Sequence, residues 1–128
     1  MNAMEIKRDL SLFTGSEEFY RHHLGGSYTD GVKWMAASCS AYWLLDAVFS
    51  YLPWVASSGD YFFPVTFEKK RIEKTGLEYW MLTIGSLENP MSWSQEIEFS
   101  DFPLDHIKLF LCDNGGELGW TLLLPSEY

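Results

Sequence analysis

A chain of 128 residues, 47% hydrophobic and 17% aromatic, has the length of one domain and enough apolar mass to close a core without disulfides or metal. Folding at this size removes roughly two-thirds of the unfolded chain's surface from water. Eighteen acidic against nine basic residues leave a net charge of −9, which repels phosphate backbones and anionic membranes and so argues against ordinary nucleic-acid binding.

The charge is unevenly placed. Residues 1–58 hold six acids and four bases, residues 59–128 twelve and five. No apolar h-region follows the basic residues of MNAMEIKRDL, so no signal peptide is expected, and residues 1–8 read as a loose leader. The stretch 14–24, TGSEEFYRHHL, reads as a short first helix. A capping box joins Thr14 and Glu17, Phe19/His23 and Tyr20/Leu24 lie four apart, and Gly25-Gly26 supplies the stop. After GGSYTDG comes a long helical pattern over 30–52, capped by Thr29 or Asp30, apolar nearly all round and ended by Pro53. The small residues AASCSA at 36–41 allow a close approach or mark a kink.

The period then changes from helical to alternating. PVTFEKKR (64–71) and LEYWMLTI (77–84) alternate around a Thr75-Gly76 turn. WSQEIEF (93–99) puts Trp93, Gln95, Ile97 and Phe99 on one face and Ser94, Glu96 and Glu98 on the other. IKLFLC (107–112) and GWTLLL (119–124) flank the turn cluster Asp113-Asn114-Gly115-Gly116. The expectation is a single α+β domain over 1–128. Its helical half, 9–52, packs on one face of a five-stranded antiparallel meander formed by the strand half, 60–128.

The most apolar stretch, AYWLLDAVFSYLPWVA (41–56), holds a carboxylate, Asp46. It is too short to span a bilayer and is broken by Asp46 and Pro53, so no membrane role is expected. On a helix, Asp46 neighbours Tyr42, Trp43, Phe49 and Ser50, a surround that would desolvate the acid and raise its pKa unless donors approach. The candidate partners are amides of GGSYTDG, a tyrosine hydroxyl, Arg21, or a histidine of the first helix. A buried staple between two helices is the favoured reading, with a catalytic carboxylate beside it as the alternative.

His22 and His23 are adjacent, so a helix would point them about 100° apart and they could not ligate one metal as an i,i+4 pair does. One should pack inward and the other face water. No HxxxH, HExxH, GxSxG, GxGxxG or P-loop pattern occurs, and no metal or cofactor is expected. Cys39 and Cys112 read as two buried thiols of a reducing cytoplasm, with a single disulfide left open. The acid-only stretch from Glu88 to Asp105 (Glu88, Glu96, Glu98, Asp101, Asp105) is the strongest partner-facing signal, with edge-strand protection as its plain counterpart.

The phrases FTGSEEFYRH, YTDGVKWMA, AYWLLDA and FPLDHIKLFLCD, with the closing LLLPSEY, resemble a family of small uncharacterised bacterial and mobile-element proteins, a domain of unknown function. The resemblance runs from Leu12 to Tyr128 and is looser over 53–92. It implies a complete domain in a bacterial cytoplasm, with Tyr28, Asp30, Trp43 and Asp46 in one constellation, and it implies no activity, cofactor or catalytic residue.

Three functions fit these features. The first is a non-enzymatic module binding another protein through an aromatic-and-acidic surface, with homo-oligomerisation open. The second is a small enzyme between the two N-terminal helices: His22 or His23 as acid/base, Asp46 orienting it, and Tyr28, Asp30, Lys33 and Trp43 as ligand contacts. The third is an acidic mimic of DNA.

Overall fold

The computed structural model of the chain describes residues 2–15, 18–85, 92–116 and 118–128. Among these, four α-helices and seven strands form an α+β fold with one mixed sheet. In chain order they are α1 (Ala3–Leu10), β1 (Phe19–Arg21), β2 (Ser27–Thr29), α2 (Asp30–Ser38), α3 (Tyr42–Phe49), α4 (Leu52–Ser57), β3 (Phe62–Arg71), β4 (Glu78–Ile84), β5 (Trp93–Ile97), β6 (His106–Asp113) and β7 (Trp120–Leu123), then a 3₁₀ turn at Pro125–Glu127.

The sheet order is β1-β2-β7-β6-β3-β4-β5. The expected strands at 64–71, 77–84, 93–99, 107–112 and 119–124 are present within a few residues, but they do not form a five-stranded meander. β6 crosses back to pair with β3, and β7 pairs with β2 in parallel. That parallel pair recruits a hairpin from the N-terminal half, which makes the sheet mixed and seven-stranded.

Alternation sets the two faces of the sheet. Phe63, Val65 and Phe67 of β3, Trp80, Leu82 and Ile84 of β4, Ile107, Leu109 and Leu111 of β6, and Leu122 of β7 are all buried. They close against Val32, Met35 and Ala36 of α2 and Leu44, Leu45, Val48 and Phe49 of α3 in one continuous core. Each of the Val, Leu, Ile, Met and Phe side chains contributes roughly 1.5–3 kcal/mol by leaving water. The opposite face has a small aromatic group of its own, where Phe62, Phe110 and Tyr128 pack with ring centroids 4.9–5.4 Å apart.

The N-terminal half departs most from expectation. The leader is a helix: Asn2 caps α1 by accepting from the Glu5 amide, and Ile6 plugs the core. The helix expected over 14–24 is a hairpin, because Phe19–Arg21 pairs with Ser27–Thr29 and Gly25, at φ +115°, turns the chain. The Thr14–Glu17 capping box and Glu88 involve residues outside those described.

The long helix over 30–52 is three helices. The break falls in AASCSA, where Ser40 takes φ +51° and the Ala41 amide reaches back to the Ala36 carbonyl. Pro53 does not end a helix but sits in the first turn of α4, where its missing N–H costs nothing. Among the described residues, no helix is long and apolar enough to cross a membrane.

The two thiols are free and buried. Cys39 ends α2 in the core, whereas Cys112 follows core-facing Leu111 on β6 and so points to the other side of the sheet. The sheet separates them, which settles the open pairing. Burial pushes the Cys39 thiol up to about 11 and raises that of Cys112 as well.

Candidate functional site

His22 sits where β1 turns toward β2. Its amide donates to the Gly26 carbonyl at 2.7 Å and its carbonyl accepts from Gly25, closing the loop around His23, Leu24 and Gly25. The ring lies on Phe49 of α3, centroids 4.5 Å apart, and the side chain is 5% exposed. Gly26 permits this approach, since a Cβ there would overlap the Phe49 ring. Nε2 of His22 lies 2.7 Å from Oδ1 of Asp46, also on α3.

The proton on this ring can be placed. The Leu24 amide can only donate, and it points at Nδ1 of His22 at 3.1 Å. In a neutral imidazole the proton is therefore on Nε2, which donates it to Asp46. Both ring nitrogens are occupied, one by a backbone donor and one by a carboxylate.

Asp46 itself is not buried. Its side chain is 55% exposed, which corrects the expectation of a desolvated carboxylate: the buried member of the pair is the imidazole. A histidine, one of the four candidate partners, holds it, but it comes from a hairpin rather than a helix. His23 faces water, 70% exposed, with Nδ1 4.0 Å from Asp46 and its ring 4.3 Å from that of His22.

His22, His23 and Asp46 bring three ligating atoms within 4.8 Å of one another, as a metal site would. The Leu24 amide opposes that use. A metal at Nε2 would drive the His22 proton to Nδ1, against another N–H donor, where ligating histidines ordinarily meet an acceptor.

The remaining candidates fall in three places. Tyr28 is half-buried beside this pair; burial, then Tyr42 and Asp46 nearby, raises its phenol pKa. Tyr20 stacks on Tyr28, its own phenol raised first by its hydrogen bond to Glu18, and Lys33 holds its ammonium 4.1 Å above the Tyr20 ring. Asp30 opens α2 with one carboxylate oxygen, Oδ1, buried and without a partner among the described residues. Trp43 does not join the others: it packs edge-on against Phe67 and lines a groove with Ile97, Phe99, Ser100 and Asp101.

A residue not singled out in the sequence ties the N-terminal helices to the chain's end. Glu127 accepts from the Thr29 hydroxyl at 2.6 Å, the Gly31 amide at 3.3 Å and the Leu124 amide at 3.0 Å. Thr29 in turn caps α2 by accepting from Val32. A Cβ on Gly31 would sit 2.7 Å from the Glu127 carboxyl, so a side chain there would displace that carboxyl. YTDG and LPSEY are thus two halves of one contact.

A small cavity of about 70 Å³ lies against the same hairpin, lined by Phe19, Tyr20, Arg21, Gly25, Gly26, Ser27 and Leu118, with neither histidine nor Asp46 in its wall.

The β5 end of the sheet is arranged differently. Among the described strands β5 lies at the edge, and the chain leaves the sheet after Ile97, so Phe99 does not continue the face of Trp93, Gln95 and Ile97 as expected but stands 82% exposed. The Ser100-Asp101 pair and Pro103 that follow are the sequence signal for that departure. The groove of Trp43, Ile97 and Phe99 holds about 260 Å³. Glu78 and Asp105 of this region are taken by Lys69, and Glu68 by Lys70. Glu96, Glu98 and Asp101 are exposed with no ion pair among the described residues.

No curated protein and no solved structure matched the chain. A family model covers residues 4–128, nearly the whole of it, and the chain accordingly belongs to the family of unknown function DUF6876.

Proposed function

We propose that the protein is a non-enzymatic binding module that engages another protein through the aromatic-and-acidic rim at the β5 end of its sheet. The observation that carries this reading is Phe99. The ring is 82% exposed and extends the groove of Trp43 and Ile97 into an apolar patch beside acids that no described cation neutralises, a surface that gains by burial against a partner. The bacterial cytoplasmic setting implied by the sequence resemblance agrees with two unpaired thiols.

The enzyme reading finds less support. An imidazole does meet a carboxylate, but both nitrogens of His22 are engaged, so it has no lone pair free to take a substrate proton. His23, the other candidate, stands 4.0 Å from Asp46, outside hydrogen-bond reach. A mimic of DNA needs acids along one elongated face. Here Asp46 lies on α3, Glu127 beneath α2 and Glu96 on the far edge strand.

The test is capture from a bacterial lysate on immobilised wild-type and Phe99→Ser protein, with light scattering of both. The wild type should retain a protein that Phe99→Ser loses. Equal retention by both, or no retention and no self-association, would remove the reading.

A further inference from the structure

The alternating character of the rim specifies the partner more closely, an inference that rests on the protein being a binding module. Among the described residues β5 pairs only with β4, so alternate amides and carbonyls of Trp93–Ile97 face outward, the arrangement to which an extended chain adds as a further strand. The two sides of that edge differ. On the helix side, Ile97 joins Trp43 and Phe99 in an apolar groove of about 260 Å³ with Asp101 in its wall. On the other side, Glu96 and Glu98 border a depression of about 330 Å³ floored by Ile72, Leu77 and Tyr79.

An added strand alternates in the same way, so every second residue would face the groove and the residues between would face the two glutamates. Long basic side chains suit the second side. Their stems can lie along Leu77 and Tyr79 while their charged heads reach Glu96 and Glu98. The same acids repel a second copy of this chain at the edge and admit a basic one. We propose that β5 takes up, as an eighth strand, an extended segment of a partner protein in which apolar residues alternate with Lys or Arg.

Fluorescence anisotropy with labelled peptides of about ten residues tests this. One peptide alternates Val and Lys, a second has the same composition in scrambled order, and a third is the alternating peptide N-methylated at every second residue along one edge. The alternating peptide should bind. The scrambled and N-methylated peptides, and the alternating peptide on Phe99→Ser or on Glu96→Gln/Glu98→Gln, should each be weaker by roughly tenfold. Unchanged melting temperatures of the variants would assign the loss to the surface rather than to folding, and β5 amides should exchange more slowly in the complex.

Equal affinity for all three peptides would mean simple charge attraction and overturn the proposal. So would failure of the alternating peptide to bind at low salt. If a lysate protein is still captured in a Phe99-dependent way, the binding module stands and its partner presents a folded surface instead. A wild-type dimer that dissociates in Phe99→Ser and excludes the peptide would assign the edge to a second copy and overturn the basic strand.

Discussion

The hairpin tip at His22 and the rim at Phe99 both set charge beside aromatic rings, yet they do opposite things with it. At the tip each polar atom of the imidazole is answered: Nδ1 by Leu24, Nε2 by Asp46, and the ring face by Phe49. At the rim an exposed ring lies among three acids without described counter-ions. Both regions carry a structural and a functional reading in the sequence. Counting partners separates them, because a group already bonded on every side has little left to offer a ligand.

Substitutions in the two regions should therefore separate stability from binding. The largest loss should come from Phe49→Ala, which empties the core where His22 and Gly26 pack. It should cost about 3–5 kcal/mol in urea unfolding. Glu127→Ala comes next, at about 1–2 kcal/mol, since it strips the Thr29 hydroxyl and the Gly31 and Leu124 amides of their acceptor.

Asp46→Ala should cost about 1 kcal/mol, because the carboxylate is half in water and solvent can reach part of the vacated bond. Asp46→Asn should cost less than that, as its amide oxygen can still accept from Nε2, and the difference between the two is measurable by thermal melting. Phe99→Ser should change stability by no more than about 0.5 kcal/mol while weakening peptide binding roughly tenfold. If it destabilises as Phe49→Ala does, the ring is part of the core and the contrast between the regions is lost.

How much the sequence made legible depends on range. The strands of the C-terminal half were readable because alternation is local, as in Phe63, Val65 and Phe67, and so was the Thr75-Gly76 turn, with Gly76 at φ +72°. The sequence also sets one histidine inward and the other outward, and it offers Thr29 as one of two candidate caps. The hairpin at 19–29 was not. Its strands are three residues long, and β2 finds its second neighbour, β7, in a segment more than ninety positions away.

Phe19/His23 and Tyr20/Leu24 mimicked helical spacing for that reason. Glu127 was invisible for the same cause, since its partners at Thr29 and Gly31 lie nearly a hundred residues upstream. The acid in AYWLLDAVF stands out in the sequence, with a histidine among its four candidate partners. Its exposure does not, because α3 turns that one face toward solvent.

Long-range proton–nitrogen correlation of the imidazoles tests the central claim most directly. If the His22–Asp46 contact is a fastener, the His22 spectrum of the neutral protein shows a protonated Nε2 and an unprotonated Nδ1 held as one tautomer, while His23 averages between its forms. A proton found on Nδ1 of His22, or a ring that averages as freely as His23, would contradict it.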